Sequence, residues 1–500
     1  MKQRVVVIGA GIGGLSVAIQ LAYRGFSVTV VEKQDKAGGL IGQIKKDGFT
    51  FDTGPSYIMG KEIYEDFFSS VGATLVDYIG FKRLKESSRF LFADGSTFSL
   101  FDDKAMTREA IASFSPGDEE GFDKFLSLGK DFYALMYHGP KLARRNYHKL
   151  FGFDYLFDPR VVGNVTKLHL LWSWDALVNT CFVSQKLRQV FSYQASFVGM
   201  SPQKSLAAYS FLTWLEVELG LFSVVGGVYS IVNGFVKLAK ELGVKFHFNT
   251  EVTGLQLEAT KVTEVITKLG NIQTDIVVNN SNGAYFYTHL FPSSLSTVYT
   301  EEKLRKMHLT CSFFTMNLGL KKPLPGLAHH SIVFGDRWDE TLHNVSTPNC
   351  VAQYSGDNLS YYLTQETDAL VAPDGKASLF VLVPVCGYDP DCDWKQHVQR
   401  FEELIFETME KRDGLFVREL IETKFVRSPV DLGKQYNLWH NVALGFSHNF
   451  FQVNGFRMPN KAREFSNLYH VGASTIPGAG VPTCITSGEL VAQRIAEEMA

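Results

Sequence analysis

Arg4-Val5-Val6-Val7-Ile8-Gly9-Ala10-Gly11-Ile12-Gly13-Gly14, together with the helix and strand that come after it, is the stretch that decides the fold. Arg4–Ile8 is a β-branched run bounded by glycine, which predicts a buried parallel strand. Leu15, Ala18, Ile19 and Ala22 then recur on one face of a helix, and Gly25 ends it. Ser27–Val31 is a second strand that stops at Glu32. Strand, GxGxxG, helix, strand and acid in that order predict dinucleotide binding. Gly9 permits the tight turn, Gly11 lets the backbone approach a pyrophosphate, and Gly14 lets the helix pack close to the strand. The helix N-terminus turns free N–H groups toward the phosphates. Glu32, 18 residues past Gly14, is placed to accept both ribose hydroxyls.

Working outward, Lys33-Gln34-Asp35-Lys36-Ala37 leads to a second glycine pair, Gly38-Gly39, and then Leu40. By itself that pair reads as an ordinary loop turn. Beside the first motif it resembles the extended signature of the glutathione-reductase-like FAD superfamily, the branch that holds amine oxidases and carotenoid desaturases. Phe51-Asp52-Thr53-Gly54-Pro55-Ser56-Tyr57 resembles the next block of that family, which passes near the flavin. A second GxGxxG after a strand, usual where NAD(P)H also binds, is not found. FAD is therefore expected as the dinucleotide, with a quinone or O₂ as the electron acceptor.

The C-terminal end adds the most specific stretch. Asn467-Leu468-Tyr469-His470-Val471-Gly472-Ala473-Ser474 reads as a short strand ending in small residues. Thr475-Ile476-Pro477-Gly478-Ala479-Gly480-Val481-Pro482 comes next as a turn-rich loop, and 483–498 as an amphipathic helix with Ile485, Val491 and Ile495 inward. Proline in the first turn suits a helix start. The run closely resembles the C-terminus of carotenoid desaturases of the bacterial and fungal phytoene desaturase type. Gly445-Phe446-Ser447-His448-Asn449, Phe456-Arg457, Asn460-Lys461, His329-His330-Ser331-Ile332-Val333-Phe334, Ser201-Pro202, Ala208-Tyr209-Ser210, Glu216-x-Glu218-x-Gly220, Gly226-Gly227 and Asn249-Thr250-Glu251-Val252 extend the resemblance from about residue 4 to residue 495. It implies cofactor contacts at Gly9, Gly11, Ile12, Gly13, Gly14, Glu32, Lys33, Gly38, Gly39, Leu40, Gly54, Pro55, Ser56, Tyr57, Val252, Gly472, Ala473, Gly480, Val481 and Pro482. Three places depart from the family pattern: Ser223-Val224-Val225 where a proline and a basic residue are usual, Ile476 where histidine is common, and Pro384-Val385-Cys386-Gly387 for Pro-Val-Pro-His. These departures extend the expected substrate from a phytoene-like carotenoid to a later or hydroxylated one.

The implied fold class is α/β: a Rossmann-type FAD-binding domain with a mixed α+β substrate and membrane-associating lobe. Segments 1–85, 226–290 and 425–500 are expected to build the first, and 86–225 and 291–424 the second. Strands are expected at 244–248 and 275–279, and a helix at 229–242. The chain has 500 residues, net charge −3 and 13% aromatic residues, including 40 Phe and 20 Tyr. No run of like charge points to a nucleic-acid partner. The six cysteines, at 181, 311, 350, 386, 392 and 484, show no CxxC spacing, so no metal site is expected. Scattered thiols fit a reducing compartment. With neither a signal peptide nor an apolar run of about 18 residues, the expectation is a cytoplasmic protein held peripherally on a membrane. Residues 131–200 are the expected contact region, through Phe132, Tyr133, Tyr137, Lys141, Arg144, Arg145, Tyr147, His148, Lys149, Phe151, Phe153, Tyr155 and Phe157. A helical lobe with a solvated basic edge would show the same composition.

Forming C=C from C–C removes a hydride, for which flavin is the acceptor, and a proton, for which the sequence names no base. The candidates are His448 and Asp431, with His329, His330, Arg427 and Tyr436 behind them; each also has a plain structural reading. Other readings stay open: a carotenoid isomerase, retinoid saturase or amine oxidase on the same fold; or a non-catalytic isoprenoid-binding protein of the GDP-dissociation-inhibitor type.

Overall fold

The structure, a computed structural model, describes residues 2–134, 172–296, 298–346, 351–387, 393–453 and 456–500. Arg4–Ile8 pairs in parallel with Ser27–Val31 on one side and Ile276–Asn279 on the other. Lys245–His247 and Leu468–His470 complete a five-stranded, all-parallel sheet. Its central strand is buried on both faces, with Val5, Val6 and Val7 at most 1% exposed, as expected where helices cover both sides.

The helix Ile12–Tyr23 packs on this sheet, and the C-terminal helix Val481–Met499 packs on that helix. They approach closely because residue 488 is glycine: a Cβ there would stand 2.6 Å from the Ser16 side chain. Ser16 Oγ donates to the Ile485 carbonyl at 2.8 Å. Ile485, Val491 and Ile495 are fully buried, as the sequence pattern predicts. The helix starts two residues earlier than expected, because Pro482 falls in its first turn, where no N–H is needed.

A second sheet has seven strands, running Ile421–Arg427, Ser312–Leu320, Ala377–Val385, Tyr361–Glu366, His330–Val333, Glu86–Leu91 and Thr97–Phe101. All its pairings are antiparallel except that between His330–Val333 and Glu86–Leu91. Residues 425–427, expected with the dinucleotide-binding segments, lie in this sheet instead. Helices Lys104–Phe114, Glu119–Tyr133 and Trp174–Cys181 share an aromatic core with it. Phe132 and Tyr133, expected at a membrane-facing surface, are buried in that core. The other aromatic and basic positions of that set, from Tyr137 to Phe157, lie outside the described residues.

Candidate active site

One cavity of about 510 Å³ runs from the C-terminal ends of the parallel strands to the face of the seven-stranded sheet. Open parallel sheets bind ligands at that end of their strands. Of the expected cofactor residues, Gly9, Gly11, Ile12, Gly13, Glu32, Lys33, Gly38, Gly39, Leu40, Gly54, Pro55, Ser56, Tyr57, Val252, Gly472, Ala473, Gly480, Val481 and Pro482 line it. Gly14 does not; a Cβ there would sit 2.2 Å from the Gly9 carbonyl oxygen, so its task is helix–strand contact.

The glycine stretches interlock. Gly38 N–H donates to Ala10 C=O at 2.9 Å, and a Cβ on Gly39 would come within 3.3 Å of Gly11 Cα. A Cβ on Gly13 would stand 3.0 Å from Gly472 Cα, so the motifs from the two ends of the chain meet backbone to backbone. Gly11 caps the helix Ile12–Tyr23 with no side-chain bond, leaving its first N–H groups open to the cavity. Gly480 does the same for Val481–Met499.

Glu32 is 8% exposed. Its carboxylate accepts from Ala10 N–H at 2.8 Å and Gln34 N–H at 2.9 Å. Burial pushes its pKa up, and these two N–H groups hold it back. Lys33 donates to Asn437 Oδ1 at 2.6 Å; burial lowers its ammonium pKa, opposed by Glu251 and Glu32. Asp52 accepts from Val228 and Tyr229 N–H at the start of the helix Tyr229–Glu241. Gly226-Gly227 is explained by that contact, since a Cβ on Gly227 would meet Asp52 Oδ2 at 2.6 Å.

The two leading candidate bases, His448 and Asp431, do not face the cavity. His448 Nδ1 lies 3.2 Å from the Val198 carbonyl and its Nε2 accepts from Ala479 N–H at 3.3 Å. With both nitrogens engaged, the ring is a brace behind the 472–480 loop; burial lowers its pKa to about 3. Asp431 forms a capping box with Ser428 at the start of Pro429–Tyr436. Neither residue lines the cavity, and the bonds each makes brace its own segment. Arg427 donates to the Thr53 carbonyl, and His329 bonds Glu366 at 2.6 Å. Of the expected bases, His330 and Tyr436 do reach the cavity wall.

Sequence reasoning missed two groups. Asn280, Ser281 and Asn282 come directly after the strand Ile276–Asn279 and line the cavity; Asn280 Nδ2 donates to Gly9 C=O at 3.2 Å. Their place at a strand end was the available signal. The far wall comes from Phe197, Tyr209, Phe211, Leu212, Phe313, Ile332, Tyr362, Leu363, Phe380, Leu382 and Pro384. Tyr209, Ile332 and Pro384 fall in stretches singled out from the sequence, and the others are marked only by their apolar character.

A glycine cradle facing two open helix N-termini, with a buried acid beyond it, fits the pyrophosphate and ribose of FAD. The fold and this cavity together define an FAD-dependent oxidoreductase. The chain belongs to the flavin containing amine oxidoreductase family, whose pattern matches residues 12–496. It is 32% identical to a zeta-carotene-forming phytoene desaturase of Myxococcus xanthus over 99% of this chain and 94% of that one. It is 29% identical to a phytoene desaturase of Fusarium fujikuroi, over 100% and 90%. Among solved structures, a cyclohexylamine oxidase from Brevibacterium oxydans superposes with a TM-score of 0.62 at 14% identity, covering 100% of each chain, and shares the fold.

Proposed function

We propose that this protein introduces C=C bonds into a carotenoid, phytoene-like or a later one, hydroxylated forms included, with FAD as the hydride acceptor. The observation that carries the reading is continuity: one cavity joins the glycine cradle around Gly11 and Glu32 to an apolar wall that includes Phe197, Phe380 and Leu382. The full-length similarity to phytoene desaturases supports the same reading. A hydrocarbon offers few polar handles, so shape and orientation carry the protein's share of the work.

Bound FAD supplies a two-electron hydride acceptor. Gly9, Gly11, Ile12 and Gly13 would hold its pyrophosphate against the first helix, and Glu32 its ribose. Gly54–Tyr57 and Gly472–Ala473 would border the flavin, and the N-terminus at Gly480–Pro482 would favour negative charge on it. Segments 1–85, 226–290 and 428–500 form the cofactor half, while 86–225 and 291–427 form the substrate half. The protein acts as a cytoplasmic enzyme docked on a membrane surface, where carotenoids reside, and passes electrons to a quinone or O₂. No helix among the described residues is long and apolar enough to cross a membrane.

The test is an absorbance spectrum of the purified protein, then anaerobic mixing with phytoene, zeta-carotene or lycopene in liposomes. Oxidised flavin bands that bleach as longer polyene bands grow are the expected outcome. Flavin that stays oxidised with all three overturns the substrate class, and failure to bind FAD overturns the enzyme reading.

A further inference from the structure

The reaction needs a proton acceptor, and the imidazole and carboxylate singled out from sequence are both tied up elsewhere. The structure holds another carboxylate that nothing so far uses. Glu216 is fully buried, on a π-helical turn, Leu215–Leu219, that directly continues the helix Phe211–Trp214. Such turns recur at functional sites because they re-aim a side chain.

Among the described residues, every hydrogen bond to this carboxylate comes from a neutral group. Ser87 Oγ donates to Oε1 at 2.8 Å and Ser88 Oγ donates to the same oxygen. Gln194 Nε2 donates to Oε2 at 2.6 Å, and the Tyr193 hydroxyl stands 3.2 Å from it. No arginine, lysine or histidine among the described residues bonds to Glu216. A buried charge without a counter-ion is costly, so a carboxylate kept in such a place is one that takes up a proton readily. Burial accordingly pushes its pKa up.

The network reaches the cavity at one point. Tyr57 lines the wall, half-buried, and its hydroxyl bonds the Ser88 hydroxyl. Tyr193 donates to the Tyr57 oxygen at 2.9 Å. A continuous path of exchangeable hydrogens therefore runs from the cavity through Tyr57 and Ser88 to Glu216.

We propose that Tyr57, Ser88 and Glu216 form the proton relay of the desaturation, with Tyr57 as the group facing substrate and Glu216 as the final acceptor. The proposal rests on the desaturase reading above. One substrate C–H breaks and leaves its electron pair behind as the new π bond. The adjacent carbon loses hydride, with both electrons of its C–H bond, to FAD. The released proton arrives at the Tyr57 oxygen as the Tyr57 hydrogen moves to Ser88 and the Ser88 hydrogen to Glu216. The carboxylate becomes a carboxylic acid whose O–H points back at Ser88. His330, on the same wall, is the rival base: its ring lies 4.4 Å from the Tyr57 ring and its Nε2 has no hydrogen-bond partner among the described residues. Burial lowers its proton affinity, where it raises that of Glu216.

The experiment uses FAD-loaded protein mixed anaerobically with phytoene, zeta-carotene or lycopene in liposomes, with flavin bleaching as the readout. Glu216→Gln keeps shape and most hydrogen bonds; Tyr57→Phe removes only the link to the cavity and serves if the first variant does not fold. Each is expected to keep FAD content and KM near wild type while the bleaching rate and kcat fall about 100-fold, the scale of general base catalysis. Glu216→Asp is expected to recover part of the rate. Wild-type rates within threefold in either folded variant overturn the relay and leave the His330 imidazole as the base. Equal loss of FAD content and rate also overturns it, in favour of a structural role. If wild-type flavin itself stays oxidised, the desaturase reading falls and takes the relay with it.

Discussion

The two ends of the cavity are built on opposite principles. At the parallel sheet the wall is made by backbone: glycines where a Cβ would collide, helix N-termini left uncapped, and one acid fixed by two N–H groups. Towards the seven-stranded sheet the wall is side-chain surface, as with Phe197, whose ring stands 4.8 Å from that of Tyr57 and 5.7 Å from that of Tyr362. The lesson is one of tolerance. A backbone site has one solution and fails abruptly, whereas an apolar wall can be reshaped and changes by degrees.

That contrast can be broken at its strongest point with Gly14→Ala. The added methyl would overlap the Gly9 carbonyl oxygen, an atom with no room to retreat. Overpacking against backbone is expected to cost about 3 kcal/mol or more. The protein should purify colourless or fail to accumulate, and a yellow, stable variant would refute the account of this turn. Glu32→Ala is expected to weaken FAD binding roughly 100-fold, since hydrogen bonds to a charged group contribute about 1.5–3 kcal/mol. Titration of apoprotein with FAD, read by flavin fluorescence, measures it; a change under threefold would show that the acid does not hold the ribose.

Phe197→Ala sharpens the other side. FAD content should be unchanged and KM for the polyene should rise about tenfold, from the loss of one aromatic surface worth about 1.5–3 kcal/mol. If FAD content falls instead, the two ends are not separable. The smallest effect concerns Asp52, whose carboxyl burial pushes up to about 6. Between about pH 4 and 6 the folded carboxyl keeps a proton that the unfolded chain has released. Stability from this group is therefore present at the low end of that window and lost as pH rises through it. Asp52→Asn should remove that component, so that the variant's melting temperature gains on wild type by a few degrees from pH 4.5 to pH 7. A parallel shift at both values would mean the group does not titrate as described.

Legibility in the sequence divides along the same line. Gly11, Glu32, Gly38, Gly472 and Pro482 could be expected at the cavity from spacing and resemblance, and they line it, because each answers a local demand on the backbone. His448 and Asp431 could not, because a block near the flavin says which segment is close but not which way a side chain points. His448 faces the Val198 carbonyl, and Asp431 turns back on its own helix. Glu216 was visible in the sequence only as part of the block Glu216-x-Glu218-x-Gly220, with no role attached. Its meaning depends on Ser87, Ser88, Tyr57 and Tyr193, which arrive from three other parts of the chain. The membrane-facing set was overread at its start, since composition cannot separate an aromatic surface from an aromatic core, and Phe132 and Tyr133 belong to the core.

What the sequence by itself determined was the cofactor half: a parallel strand, a glycine turn, a helix, an acid and the matching C-terminal loop. Those features are local, because φ/ψ freedom, helix capping and burial period act within a few residues. What only the tertiary structure decided was the substrate wall and the path a proton can take. Both are made of side chains from distant segments whose distances are set by how the two sheets meet, and no short-range rule carries that information.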